Sequence, residues 1–275
     1  VEERCHRREG NPASPGRVLF AVAPGSTLSW AWTNPRRWQT STTPMRIVGS
    51  TIRIVREWVR FAVVTLLIFI TIRVFFLEAF SIPTSSMENT LMVGDFLLVN
   101  KLLYGAEIPA TDLRLPALKD PERGDVVVFR PAHDPTQDYV KRVVGVPGDT
   151  LEMRDKVLYV NGLQQEEPYA RHIDRRGDAI HPGMSWQSDH LVAAGPSDHY
   201  APSRDTWGPL IVPPREYFVL GDNRDNSEDS RYWGFIDRND INGHPWLVYF
   251  SMKGEGETDG LLARIRWGRV GHRIR

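Results

Sequence analysis

Three hydroxyl residues in a row, Thr84, Ser85 and Ser86, lie between Pro83 and Met87 in the stretch AFSIPTSSMENTLMVGDFLLVNK, residues 79–101. Stretches rich in Ser and Thr usually form turns or linkers. This one is flanked by Phe80, Ile82, Met87 and Leu91, bulky residues that a linker does not need and that a site gripping a peptide does. A hydroxyl becomes a useful nucleophile only beside a base. One candidate is Lys141, in DYVKRVVGVPGD, residues 138–149. On a strand, Tyr139, Lys141 and Val143 share one face, and Val140, Arg142 and Val144 the other. One basic residue then lies among apolar neighbours on whichever face is buried. A free lysine has a pKa of ~10.4, so only about one in a few thousand is neutral at pH 7. Burial must bring it to roughly 7–8 before it can act as a general base. On the residues alone, Lys141 reads either as a solvated strand lysine or as a desolvated base.

A third stretch, GDNRDNSEDSRYWGFI at 221–236, is crowded with charge. It departs from a calcium loop, since Arg224 falls at the third ligand position and Ser227 where the glycine is required. Asp222, Arg224, Asp225, Glu228, Asp229 and Arg231 include both signs, which favours a self-satisfied ion-pair loop over a metal cage. Ser86 lacks a G-x-S-x-G frame, and HExxH and phosphate-loop patterns are missing. A Ser-His-Asp arrangement stays open, although His181, His190 and His199 lie in an irregular stretch and read as exposed.

The elements that must position these groups follow from the rest of the chain. Its 275 residues suffice for one large domain or two modest ones. Lys plus Arg and Asp plus Glu balance at 34 each, so the chain has no bias toward nucleic acid. Abundant Pro, Gly and Trp favour strands and turns over a helical bundle. With the single cysteine Cys5, an intrachain disulfide and a CxxC zinc site are excluded.

Residues 1–57 are Arg-rich and irregular, and read as a disordered, cytoplasmic segment. Either the chain is trimmed, or its start was taken at a GTG codon while translation begins at Met45. Residues 58–79 form the main apolar segment, interrupted by Arg73. Its uninterrupted part, Phe61 to Ile72, is short enough for a buried core helix. Arginine near a helix end snorkels, however, and Trp58 suits a membrane interface. Arg46, Arg53, Arg56 and Arg60 precede the segment and Glu78 follows it. The expectation is an uncleaved spanning helix, N-terminus in the cytoplasm and residues beyond 80 outside. FLLVNK, GDVVVFR, YVKRVVGV, KVLYVNG, EYFVLG and PWLVYF then read as strands, with a hairpin at Asn161-Gly162. Residues 80–160 and 215–268 are expected to form a mainly β core of antiparallel sheets, 161–214 an inserted loop region or subdomain, and 269–275 a tail.

Together the stretches SIPTSSM…TL, GDFLLVNK, YVKRVVGVPGD and GDNRDNSEDSRYWG, in this order behind an apolar segment, resemble the bacterial type I signal peptidases (leader peptidases), membrane-anchored serine–lysine proteases. The resemblance runs from about residue 55 to 268. Glu88-Asn89 departs from it, standing where many members have a residue and a proline. It implies Ser86 as nucleophile, Lys141 as general base, and the Ser86 N–H and Thr84 hydroxyl as an oxyanion hole. Ser227 would orient the lysine, and Asp229 with Arg231 would support that loop. Phe80, Ile82, Met87, Leu91, Tyr139 and Val140 would bind substrate, their crowded walls admitting only small side chains. Ser86 follows Phe80 by six residues, at most roughly 20 Å of extended chain, which suits a substrate still held in a bilayer. The implied reaction is removal of signal peptides from exported preproteins after small-x-small sites at the inner membrane. Preproteins and membrane lipid are the implied partners, with no cofactor, metal or nucleic acid. The rivals are a related Ser–Lys enzyme, such as a self-cleaving repressor or a conjugation-pilus processing peptidase, and an inactive membrane-tethered β binding protein.

Overall fold

The apolar runs fold as antiparallel strands. The computed structural model describes residues 47–73, 77–107, 111, 113–174, 179–192, 200–254, 260 and 262–274. Among them are β1 (Leu77–Ser81), β2 (Asp95–Asn100), β3 (Val126–Phe129), β4 (Tyr139–Gly145), β5 (Thr150–Arg154) and β6 (Val157–Val160). These are followed by β7 (Leu163–Gln164), β8 (Trp207–Ile211), β9 (Glu216–Leu220), β10 (Ile236–Asp237), β11 (Ile241–Ser251) and β12 (His272–Arg273). One sheet runs β1-β2-β11-β3-β4-β9-β10 with β12 paired to β11, and a second runs β7-β6-β5-β8. By contacts the chain divides into Val1–Ile52, of which only the start of one helix is described, and Arg53–Arg275, which holds both sheets.

The central strands β3 and β4 are buried on both faces. Val126 and Val128 join Ile82, Met87, Leu91 and Val248 in one cluster, while Val127 and Phe129 join Tyr104, Val143 and Val219 in another. A strand buried on both sides needs an unbroken apolar run, which VVVF provides. Val144 of β4 and Phe218 of β9 join a third cluster with Leu151, Leu158, Trp207 and Leu210 of the second sheet. The expectation of one basic residue on a buried face of β4 is therefore corrected. Lys141 and Arg142 point to opposite faces, and both are buried.

The boundary expected at residue 161 does not follow the sheets. β5 and β6, set with the core, pair with β7 and β8 of the expected insert. The hairpin holds: Asn161 and Gly162 lie at φ 53° and 77°, between the paired Val160 and Leu163. A two-residue turn of this kind needs both central residues left-handed.

The apolar segment also differs from expectation. A helix, α1 (Ile47–Thr71), begins well before Trp58, within the segment expected to be irregular. The chain is already in β1 at Leu77, paired with Asn100 of β2, so the end of the expected 58–79 span is strand. Among the described residues no helix is long and apolar enough to cross a membrane. Arg56, Glu57 and Arg60 lie inside α1 and shorten its apolar part. Residues 1–46 and 74–76 lie outside the described residues.

The segment expected as a C-terminal tail is built into the larger sheet. β12 pairs with β11, and Ile274 is buried. Arg269 Nε donates to both oxygens of Asp95 at 3.0 Å, and its Nη2 donates to the Thr90 carbonyl at 2.9 Å. Asp95, fully buried, also accepts from Ser251 Oγ at 2.6 Å and the Met92 N–H at 2.9 Å. Burial alone would raise this carboxyl, but the hydrogen bonds from Arg269 and Ser251 hold it below the usual carboxylate range. Removing one partner of a buried pair leaves an uncompensated charge, which costs roughly 3–5 kcal/mol. Arg269→Gln is therefore expected to lower stability by about that amount in urea denaturation. An unchanged midpoint would show that Asp95 does not depend on Arg269.

Candidate active site

Three segments converge on one cleft. The first is the loop joining β1 to β2, which carries Thr84, Ser85 and Ser86. The ladder closes its ends: Ile82 N–H donates to the Asp95 carbonyl and Gly94 N–H to the Ile82 carbonyl, each at 2.9 Å. Within it, Glu88 N–H bonds the Ser85 carbonyl at 3.0 Å and Leu91 N–H the Met87 carbonyl at 2.8 Å, so the chain turns tightly after Ser86. The second segment is β4, which carries Lys141. The third is the loop after β9, which carries Ser227. Arg142 pairs with Leu220 in the β4–β9 ladder, so the next step along that register sets Lys141 beside Gly221, where the loop begins.

The two loops are stitched together. Asn223 N–H donates to the Ser86 carbonyl at 3.0 Å, and its Nδ2 to the Ser85 carbonyl at 3.1 Å. Asn226 Nδ2 donates to Ser85 Oγ at 2.8 Å. A Cβ on Gly221 would stand 2.2 Å from Ser227 Oγ and 2.6 Å from the Ser86 carbonyl oxygen. Only glycine lets these two groups approach each other so closely.

The cleft has a volume of about 310 Å³ and is lined by residues 80–87, by 137–141, and by Asn226 and Glu228. It brings together Phe80, Ile82, Thr84, Ser86, Met87, Tyr139, Val140 and Lys141 of the expected set. Leu91 is not among them: it is fully buried with Met87 and Leu97 behind the wall. Ser86 Oγ lies 3.4 Å from Thr84 Oγ1. The Ser86 backbone N–H has no hydrogen-bond partner among the described residues.

Lys141 Nζ donates to Ser227 Oγ at 3.1 Å, and both side chains are buried. Burial pushes the amine from 10.5 down to about 8, the Asp229 charge working against it and the Arg231 charge with it. Asp229 is itself fully buried, which alone would raise its carboxyl. Arg231, bonding its two oxygens at 2.8 and 2.9 Å, holds it below the usual range. Asp229 also accepts the Gly221 N–H at 3.0 Å and so shapes the start of the loop.

The charged loop is not the self-satisfied set of ion pairs that the sequence suggested: among the described residues Asp229–Arg231 is the only ion pair that closes within it. Arg142 grips both oxygens of Asp222 at 2.8 Å, Arg224 pairs with Glu167 at 2.6 Å, and Lys156 meets Asp225 at 3.1 Å. Thr90 Oγ1 donates to the same Asp222, joining the turn after Ser86 to β4 and the loop. Sequence reasoning missed Gly221, Asn223 and Asn226 because the charges of this stretch drew the reading. Their signal was the repeated Asp-Asn, whose short amides suit loop stitching. Of the histidines, His181 is exposed against the Tyr232 ring and His190 is half-buried, while His199 lies outside the described residues. Asn89, set by the resemblance against a proline, lies at φ 108°. Proline is locked near −65° and cannot adopt this turn. Its Nδ2 donates to the Tyr169 carbonyl at 3.0 Å, and Glu88 pairs with Arg171 at 2.9 Å.

Comparison with known proteins gives a consistent picture. The family model "Signal peptidase, peptidase S26" matches residues 55–250. The chain is 39% identical over 199 residues to the Signal peptidase I of Pseudomonas aeruginosa, covering 68% of this chain and 69% of that one. It is 34% identical over 215 residues to the Signal peptidase I of Aquifex aeolicus, covering 66% and 79%. A crystal structure of a signal peptidase I from Enterococcus faecalis is 32% identical, covering 46% of this chain and 98% of that one, with a TM-score of 0.32, too low to bear on the fold.

The burial of Lys141 has a thermodynamic signature. Below about pH 8 the folded and unfolded chains both carry its proton, and the folded state bears the full cost of the buried cation. For a pKa brought from 10.5 to about 8 that cost is on the order of 3 kcal/mol. Between these two values the unfolded chain holds the proton and the folded chain does not, so stability rises with pH. Lys141→Met is therefore expected to be more stable than the parent at pH 7 by up to about 3 kcal/mol. The gain should shrink as pH rises from 8 to 10.5. Denaturant titrations of both proteins across that range read it directly, and equal stability at pH 7 would mean that the amine is not desolvated.

Proposed function

The chain belongs to the signal peptidase family, peptidase S26, and from that premise we propose that it removes signal peptides from exported preproteins by a serine–lysine mechanism at a membrane. The observation that carries this reading is Lys141: buried, hydrogen-bonded to a hydroxyl instead of a carboxylate, held at a pKa of about 8, and set in the same cleft as Ser86.

In the proposed reaction neutral Lys141 takes the proton of Ser86 as Oγ attacks the scissile carbonyl. The Ser86 N–H, without a partner among the described residues, and the Thr84 hydroxyl, 3.4 Å from Ser86 Oγ, receive the charge that develops on the carbonyl oxygen. The lysine then returns the proton to the leaving amine, and water releases the acyl group by the reverse sequence. Ser227 holds the amine in place. The Asp229–Arg231 pair holds Ser227's loop, and Arg231, bonded to both oxygens of Asp229, offsets part of that carboxylate's pull on the Lys141 proton. Ile82, Met87 and Val140 crowd the cleft, which supports a preference for small side chains before the cut, as in Ala-x-Ala.

The same reading attaches the chain to a membrane through the apolar run of α1, with residues 1–57 on the cytoplasmic side and the cleft outside. Its support is the exposure of Phe61, Leu66, Leu67, Ile68 and Phe69, together with the arginines that precede them.

Cleavage of a precursor carrying an Ala-x-Ala site tests the proposal. The parent is expected to cleave it, with kcat/KM rising with pH through a midpoint near 8, where free Lys141 loses its proton. Ser86→Ala and Lys141→Arg should each lose at least ~1,000-fold while staying folded, because an arginine remains protonated. A Lys141→Arg enzyme with most of its activity would remove the lysine from the mechanism.

A further inference from the structure

Three charged side chains line the cleft: Asp138, Lys141 and Glu228. Two are already engaged. Asp138 meets Arg130 at 3.1 Å and accepts from Asn242 Nδ2 at 3.3 Å. Lys141 is buried against Ser227. Glu228 is exposed, and among the described residues its carboxylate has no hydrogen bond and no ion pair. Its backbone has little freedom, because it stands between two anchored neighbours. The Ser227 carbonyl accepts from Arg231 Nη2 at 3.3 Å, and the buried Asp229 grips Arg231 and the Gly221 N–H. The charge of Glu228 is felt on the second wall, where it opposes deprotonation of both Tyr139 and Lys141. An unpaired carboxylate on an anchored backbone, lining a site for extended polypeptide, acts on whatever side chain passes it.

We propose that Glu228 is a specificity-determining residue, favouring precursors that carry Lys or Arg close to the scissile bond and disfavouring those with Asp or Glu there. The inference rests on the peptidase reading above. Its size follows from two solvated charges a few ångströms apart, about five-fold in kcat/KM for a basic against an acidic residue. Because the pair is exposed, salt should weaken the preference.

The experiment uses the full chain and quenched peptides with an Ala-x-Ala site. Lys, Gln or Glu is placed in turn at the middle residue of that site and at each of the three residues after the cut. For the parent, at least one position should show the order Lys, Gln, Glu, spread about five-fold at low salt and reduced near 1 M salt. Glu228→Gln should flatten that series, and Glu228→Lys should reverse it. Anisotropy titrations of the same peptides on Ser86→Ala give the affinity ratio without any cleavage. A parent that cleaves without a charge preference, or a preference that survives Glu228→Gln, overturns the role of Glu228 and leaves the peptidase reading standing. A charge-dependent affinity that Glu228→Lys reverses, in a chain that cleaves none of the peptides, upholds Glu228 and overturns the peptidase reading.

Discussion

The structure turns on taking one ammonium group out of water without giving it a carboxylate. Of the buried cations named above, Arg142 has Asp222, Arg224 has Glu167 and Arg231 has Asp229. Lys141 has a hydroxyl. A carboxylate at Nζ would hold the proton on the amine. Asp229 acts on Lys141 in that direction, but its two oxygens are occupied by Arg231, whose own positive charge pushes the other way. The neighbouring ion pair is thus a way to fill a buried space with polar groups while leaving the lysine able to lose its proton near pH 8. Such a pair adds little net stability, since desolvation offsets most of its attraction. Its two charges act on the amine in opposite directions, and burial is the main cause of the lowered pKa.

Position is the second requirement, and it is met by connections between segments far apart in sequence. The Ser86 loop and the Ser227 loop are about 140 residues apart in the chain, yet Asn223 bonds the carbonyls of Ser85 and Ser86 and Asn226 bonds the Ser85 hydroxyl. Gly221 lets them approach closely. β4 joins both groups, since its Arg142 holds Asp222, which also takes the Thr90 hydroxyl. Ser86, Lys141 and the Ser227 hydroxyl are thereby referred to one strand.

Much of this was legible beforehand, for identifiable reasons. The strands around VVVF, RVVG and YFVL could be read because burial on both faces demands unbroken apolar runs. Thr84, Ser86 and Lys141 stood out by residue type against apolar surroundings, whereas Ser227 was singled out only by the family resemblance. β1 was hidden because LEAFS continues the apolar run before it, so local hydropathy does not mark the change from helix to strand. β8 was hidden because WGPLI contains Gly and Pro, and its place depends on pairing with β5. The burial of Arg142 was not legible, since its partner Asp222 lies 80 residues away. For the same reason the charges after β9 looked self-sufficient: Glu167, Lys156 and Arg142, which hold them, come from other elements.

The contact between Arg269 and the turn at Thr90 and Asp95 bears on how the protein is made. A ribosome delivers residues from the N-terminus, so the serine loop emerges long before the arginine that braces it. Until about residue 270 has cleared the exit tunnel, Asp95 lacks its main cationic partner and the turn beyond Ser86 lacks its clamp. A growing chain therefore carries Ser86, Lys141 and Ser227 well before it carries the arginine that closes on Asp95 and the Thr90 carbonyl.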